Sequence, residues 1–274
     1  MDLSTKIRDL TIVAFDIETS GSYPLDSEIC ELAAVKWKNG KIIDKYSELI
    51  KPRKKMSDFI IGIHGITNEM VENSPRIEEK IEEFYHFIQG AVVVAHHCPF
   101  DMGFIGIEFE KKGLVAPSTS ALCTSLLSRR IFPESTNHKL QTLVEFFNLE
   151  KNQAHRAYDD AISCLSVAMK CFEKVGWDKT LKDLYEIQGR HIAWQSFYLN
   201  ELKKNPTYKN LIDGVLNDQP VRIIYRAGNV RRDEKVKVHA VVRSPEGDFI
   251  FANTESDPKV KRFYLSKLLE SELV

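Results

Sequence analysis

"TIVAFDIETSG" (residues 11–21) is an apolar run with two acids set into it one residue apart, Asp16 and Glu18. Side chains on a strand alternate between faces, so Phe15 and Ile17 point one way while Asp16 and Glu18 point together the other way. Two neighbouring carboxylates repel, and burying them unpartnered costs several kcal/mol or forces their pKa values upward. A divalent cation removes both penalties, and hard cations such as Mg²⁺ and Mn²⁺ favour oxygen ligands of this kind. A solvated edge strand would tolerate the same pair without metal, so the residues around this stretch decide between the two.

Working outward, Thr11 to Ser47 reads as three strands, "TIVAFDIE", "EICELAAVKW" and "KIIDKYSELI", the last two joined at the turn signal Asn39-Gly40. "RIEEKIEEFYHFIQG" spaces Ile77, Ile81, Phe84 and Ile88 by four, three and four, which predicts an amphipathic helix stopped near Gly90. "AVVVAHH" predicts a buried strand, and Pro99 opens a further helix. "KLQTLVEFFNL" and "AYDDAISCLSVAMKCFEKVG" complete the pattern, the second ending at Gly176. Residues 1–176 are therefore expected to form a mixed α/β domain, helices covering a central sheet. Residues 177–208 read as a helical connector ended by Asn205-Pro206, and 209–274 as a small β-rich domain of alternating strands.

A hydrophobic content of 43% and a charged content of 28% are those of a globular chain and exclude the disordered class. The first 30 residues lack the pattern of a secretory leader, and no membrane segment is read, so a cytoplasmic location is expected. Five cysteines with no C-x-x-C spacing favour reduced thiols over disulfides or a zinc ribbon. The net charge of −1 divides unevenly, with 17 Lys+Arg against 14 Asp+Glu after residue 176. That asymmetry is too weak to carry an argument.

Two further stretches decide for metal. "AHHCPFD" sets Asp101 in the first turn of a helix directly after a buried strand, where the helix dipole tolerates an anion. "HRAYDDA" carries His155 and Asp160 at the head of the last helix of the domain. Five residues on a helix turn about 140° net around its axis, so the two converge only if His155 lies in the preceding loop.

The ordered set "FDIETSG", "HGIT" (His64 to Thr67), "AHHCPFD", "LQTLVEFFNL" and "HRAYDDA" resembles the DEDDh 3′→5′ exonucleases, the family that includes the proofreading subunit of bacterial replicative polymerases. The resemblance spans roughly residues 9–174 and implies an RNase H-like fold. It implies Asp16, Glu18, Asp101 and Asp160 as metal-binding acids and His155 as general base, with family spacing favouring Asp160 over Asp159. It also implies two divalent cations, Mg²⁺ or Mn²⁺, clamping the attacking and leaving oxygens of a phosphodiester, while the histidine deprotonates water. The expected reaction is release of nucleoside 5′-monophosphates from the 3′ ends of single-stranded nucleic acid. DNA is favoured by the "HGIT" likeness, with RNA the alternative, since metal chemistry does not distinguish the sugars. By the same resemblance Ile66 offers an apolar surface to the terminal base, and Thr19 and His64 lie near the substrate. His97 stands where relatives carry Asn, another substrate-side position.

The C-terminal stretch "VRIIYRAG…DFIFANTESDPKVKRFYLSKL" resembles a WYL domain, a small barrel of SH3- or Sm-like type, although Phe249-Ile250-Phe251 replaces the namesake motif. Arg222, Tyr225, Arg226, Arg262 and Tyr264 interleave cations with aromatics, a pattern suited to phosphates and bases. A non-catalytic, nucleic-acid-sensing regulator acting through this domain is the alternative from a different class, and it would require a broken acid position. Dimerisation or protein contact through 177–208 or the C-terminal domain is a further expectation.

Overall fold

The computed structural model describes residues 1–150, 153–243 and 247–274. They form two units: Met1–Ser20 with Ile29–Trp194, and Gly21–Glu28 with Gln195–Val274.

In the first unit, strands β1 (Ile12–Thr19), β2 (Ile29–Lys38) and β3 (Lys41–Leu49) form an antiparallel meander. Asn39 and Gly40 turn between β2 and β3 with φ of 50° and 84°, the left-handed pair a tight hairpin needs. Helices α1 (Asp58–His64) and α2 (Ile77–Ile88) lead to β4 (Val92–Ala95), which lies parallel to β1. Helix α3 (Pro99–Lys112), the short β5 (Leu122–Cys123), α4 (Thr124–Ile131), α5 (Leu140–Phe146), α6 (Ala157–Val175) and α7 (Leu181–Gln188) follow. The sheet order is β3-β2-β1-β4-β5, so β1 is central and sandwiched. On one face α6 packs against β1 and β2 over Ile12, Ala14, Val35, Trp37, Val92 and Val94. On the other, Phe15 meets Phe84 and Trp194 at ring separations of 5.6 and 6.1 Å.

The stretch expected as a helical connector is divided. α7 stops at Gly189, where φ is 70°, and its Leu181 and Leu184 are buried in the core under α6. Its apolar face is thus spent inside the first unit rather than left for a partner. Asn205-Pro206 starts a helix instead of ending one. The Asn205 side chain accepts the Thr207 N–H (2.9 Å), Pro206 supplies the first turn, and α9 (Pro206–Leu216) follows the short α8 (Asn200–Lys203). The Asn-Pro pair reads equally as a stop or as a cap with proline at the first helical position, and the apolar residues beyond it select the cap.

The second unit builds β6 (Val221–Ala227), β7 (Val230–Val242), β8 (Phe249–Thr254), β9 (Asp257–Tyr264) and β10 (Leu268–Leu273) into an antiparallel sheet ordered β10-β6-β7-β8-β9. A 3₁₀ turn at Leu265–Lys267 precedes β10. Gly214 lets α9 sit close on this sheet, because a Cβ there would collide with the Val221 side chain. Tyr225 of β6 packs edge-on against Phe263 of β9 at 5.1 Å, so the sheet curls. Among the described residues, no helix is long and apolar enough to cross a membrane. All five cysteines are buried free thiols.

Candidate active site

Ile12 and Ala14 of β1 lie in the core beneath α6, and Asp16 and Glu18 continue the same row as the strand leaves that core. Across the sheet, Ala33 lies opposite Asp16 and Glu31 opposite Glu18, so a small side chain flanks the first acid and a third carboxylate flanks the second. The β1–β4 pairing ends at Ala14 and Val94. Past that point the start of α3 approaches β1, and the Ile17 N–H donates to Asp101 Oδ1 at 3.3 Å. Asp101 is only 2% exposed, too deep for a solvated surface acid.

The fourth acid arrives on α6. Asp160 is buried, accepting the His155 N–H on Oδ2 (2.9 Å) and the Gln141 side-chain amide on Oδ1 (3.2 Å). His155 lies in the loop before α6 with a left-handed φ of 61°, and it is exposed. Potential ligand atoms of Glu18, His155 and Asp160 all fall within 4.8 Å of one another. Asp159, one residue earlier, is outside this group.

The electrostatics are those of an acid cluster short of positive charge. Burial, and then the charges of Asp101, Glu18 and Asp160, hold the Asp16 carboxyl well above the usual range. Glu18 is pushed up to about 8, first by burial and then by Asp160 and Glu31. Burial raises Asp101 and Asp160 as well, against the hydrogen bonds they accept. The nearest guanidinium, Arg156, is committed to Glu31. An all-oxygen donor set with this excess of negative charge fits hard divalent cations.

A pH dependence follows. The folded chain without metal holds protons that the unfolded chain has already lost, so its stability falls as pH rises from the ordinary carboxylate range to about 8. Cations compete with those protons, and their stabilising effect grows over the same interval. We expect the rise in melting temperature on adding Mn²⁺ to be small at pH 5 and largest near pH 8. An Mn²⁺ effect independent of pH across thermal melts would contradict the assignment.

Sequence reasoning passed over Glu31. It is 2% exposed and binds three donors: Arg156 Nη2 to Oε1 at 2.7 Å, Arg156 Nε to Oε2 at 3.2 Å, and the Ala157 N–H to Oε2 at 2.9 Å. Ala157 is the first residue of α6, so Glu31 fixes the helix start between His155 and Asp160. The available signal was an acid inside "EICELAAV", where a strand otherwise apolar has no reason to carry one.

The other predicted substrate residues divide. Thr19 is buried at the end of β1, and its main chain hydrogen-bonds the His64 ring. His64 is itself buried, with Nδ1 accepting the Ile66 N–H at 3.0 Å and Nε2 lying 3.7 Å from Cys30 Sγ. Burial lowers its pKa, keeping the ring neutral as a tether for the loop. Ile66 is fully buried with Cys30, Met56 and Val71, so it supports the loop from beneath and offers no surface to a base. His97 is exposed with φ of 60°. His is among the non-glycine residues enriched in that left-handed region, so the histidine suits this backbone.

In the second unit Arg222 is held by Asp233, with Nε to Oδ1 at 2.9 Å, and has Glu272 at 3.7 Å, so its charge is spent. The Tyr225 ring is engaged by Phe263. Arg226 is exposed. Arg262 stacks at 4.3 Å over Phe249, beside the Tyr23–Phe251 ring pair, and Tyr264 is exposed.

A mixed five-stranded sheet with acids gathered where its central strand leaves the core is a nuclease architecture, and the family model described as "Exonuclease" matches residues 13–168. The chain belongs to that family. A DNA polymerase III PolC-type protein of Caldanaerobacter subterraneus subsp. tengcongensis is 41% identical over 268 residues, covering 95% of this chain and 18% of that protein. The PolC-type protein of Bacillus subtilis is 32% identical over 239 residues, covering 84% of this chain and 16% of its own. The chain thus spans less than a fifth of these relatives. Among solved structures, Exonuclease X in complex with 5′ overhanging duplex DNA superposes with a TM-score of 0.52 at 27% identity, covering 65% of this chain and 99% of that one. The nuclease domain of 3′hExo, a DEDDh family member bound to rAMP, shares the fold with a TM-score of 0.54 at 16% identity, covering 64% of this chain and 97% of that one.

Proposed function

We propose that this protein is a metal-dependent 3′→5′ exonuclease that releases nucleoside 5′-monophosphates from single-stranded nucleic acid, DNA in preference to RNA. The observation that carries the reading is the gathering of Glu18, Asp160 and His155 beside the buried Asp16 and Asp101. Asp16, Glu18, Asp101 and Asp160 would hold two divalent cations, Mg²⁺ or Mn²⁺. Such ions, when bound, supply Lewis acidity at phosphoryl oxygens and lower the pKa of water. His155 takes a proton from the attacking water through its exposed ring, and Asp160 holds the His155 main chain in place for this. A 3′ end has to enter unpaired to reach acids as deep as Asp101, which supports single-strand preference. The PolC-type relatives support DNA and a proofreading or repair role.

The second unit we read as a WYL-like small barrel, supported by its strand order, the 3₁₀ turn before its last strand and the curl that joins Tyr225 to Phe263. Nucleic-acid contact there would rest first on Arg226, because Asp233 engages Arg222 and aromatic rings engage Tyr225 and Arg262.

The test is release of mononucleotides from 3′- and 5′-labelled single strands of DNA and RNA of one sequence, with Mn²⁺, Mg²⁺ or EDTA. Shortening from the 3′ end that needs metal and runs faster on DNA is expected. Failure to shorten either polymer with either metal would overturn the reading.

A further inference from the structure

Directly after β3 the chain reads "KPRKKM", residues 51–56, with four cations in five positions. No part of the acid site uses it. The loop is held at both ends: Pro52 and Met56 are buried, the Lys51 N–H donates to the Pro75 carbonyl at 2.9 Å, and Ile50 N–H donates to the Cys30 carbonyl at 2.9 Å. Asn68 clamps Met56 through both of its main-chain groups, accepting from N–H at 2.8 Å and donating to C=O at 3.0 Å. Lys51, Arg53, Lys54 and Lys55 line a recess of about 260 Å³ together with Glu69 and Glu72. Two of the cations are engaged: Lys51 Nζ donates to the Glu72 carbonyl, and Arg53 pairs with Glu78 at 2.8 Å. Lys54 and Lys55 are exposed and, among the described residues, form no ion pair, although the Glu69 carboxyl, lowered first by the Thr67 side chain, is lowered further by the charge of Lys55.

The sheet register places the end of β3, from which this loop departs, on the row of the acid site. Glu18 lies opposite Glu31, and Glu31 opposite Leu49, so the three form one row across β1, β2 and β3. The end of β3 is therefore two strand spacings, roughly 10 Å, from Glu18. A polycation fixed at both ends thus begins next to the row of an anionic site whose proposed substrate is a polyanion.

Resting on the exonuclease reading, we infer that the Lys51–Lys55 loop is a second binding site for the substrate strand, with Lys54 and Lys55 contacting backbone phosphates of nucleotides behind the one being cleaved. Phosphate contacts of this kind position a strand without reading its bases. They also make affinity salt-dependent, by about 0.7 in the log–log slope per phosphate contact on single strands.

The experiment measures binding of a fluorescent single-stranded oligonucleotide of about 20 nucleotides by anisotropy, with Ca²⁺ in place of a catalytic metal, across salt concentrations. The proteins are the wild type and the Lys54→Ala/Lys55→Ala variant. The variant should bind several-fold more weakly, with a slope shallower by about 1.4. Its hydrolysis of the p-nitrophenyl ester of thymidine 5′-monophosphate, which has no strand to reach the loop, should equal that of wild type. An unchanged slope sinks the inference whatever the catalytic assay gives. Equal losses on the ester and the oligonucleotide would also overturn it, by showing damage to the acid site. A wild type inactive on the ester and on oligonucleotides, yet with the slope difference intact, would instead condemn the exonuclease reading alone.

Discussion

Asp16→Asn is expected to leave a folded protein that melts at a higher temperature in EDTA than wild type and has lost essentially all metal-dependent hydrolysis. The two effects have one cause. Asp16 is strongly opposed by its surroundings, pushed up by burial and by Asp101, Glu18, Asp160 and Glu31 in turn. An amide of nearly the same shape removes the repulsion, and its neighbours then ionise at less cost. Relief of about 1–2 kcal/mol would raise the melting temperature by roughly 2–6 °C for a unit of this size. The amide is also a poor ligand for a hard cation, and loss of the metal's contribution should lower kcat/KM by at least about 10³-fold. Melting curves with and without Mn²⁺, beside kcat/KM on a single-stranded oligonucleotide, check both halves. A variant destabilised in EDTA would show that Asp16 has a structural partner. A variant still active within about tenfold of wild type would remove Asp16 from the metal set.

The same opposition between stability and function explains what could be read from residues alone. Asp16 and Glu18 stood out because carboxylates do not belong in the row begun by Ile12 and Ala14, and such local contradictions mark functional sites. Asp101, Asp160 and His155 were singled out by the resemblance to exonuclease motifs rather than by their own positions, and helix geometry added only that His155 must lie in a loop, where its φ of 61° puts it. Strands β1 to β4 and helices α2, α3, α5 and α6 followed from hydrophobic pattern and turn signals, whereas the short α1, β5 and α4 carried too little periodicity to be read. What was hidden was decided by tertiary partners. Whether Ile66 faces a substrate or a core depends on Cys30, Met56 and Val71, which come from three separate segments. Arg222 resembled a phosphate contact until Asp233, 11 residues away on the next strand, occupied it. The helix at 206–216 turned on one ambiguous Asn-Pro pair. Glu31 stands out in its strand, but its role was hidden for a related reason: it exists only because Arg156 and Ala157, 125 and 126 residues later, fold against it.

Glu31 therefore gives the second large effect. Glu31→Ala removes the acceptor of a bidentate guanidinium bond and of the first N–H of α6. Losing one member of a buried pair costs about 3–5 kcal/mol, but Arg156 keeps 30% of its side chain exposed and can turn to water, so about 2–3 kcal/mol is expected here. Catalysis should fall by roughly 10–100-fold, the range for residues that orient metal ligands rather than bind metal. Two routes could produce that fall, and they separate experimentally. In the first, the start of α6 shifts, carrying His155 and Asp160 out of place, and kcat drops at saturating Mn²⁺. In the second, Arg156, already close enough to Glu18 to lower its pKa, swings onto that carboxylate and competes with the cation. The Mn²⁺ concentration for half-saturation then rises. Glu31→Gln keeps an acceptor for the Ala157 N–H but frees the guanidinium, so it should show chiefly the second effect. Adding Arg156→Gln to it should restore Mn²⁺ affinity, read by electron paramagnetic resonance of free Mn²⁺ independently of turnover. If Glu31→Ala and Glu31→Gln bind Mn²⁺ and turn over as wild type does, the helix start is held by something other than Glu31. If the second substitution restores kcat in the alanine background, the ion pair matters for charge alone and the positioning role falls.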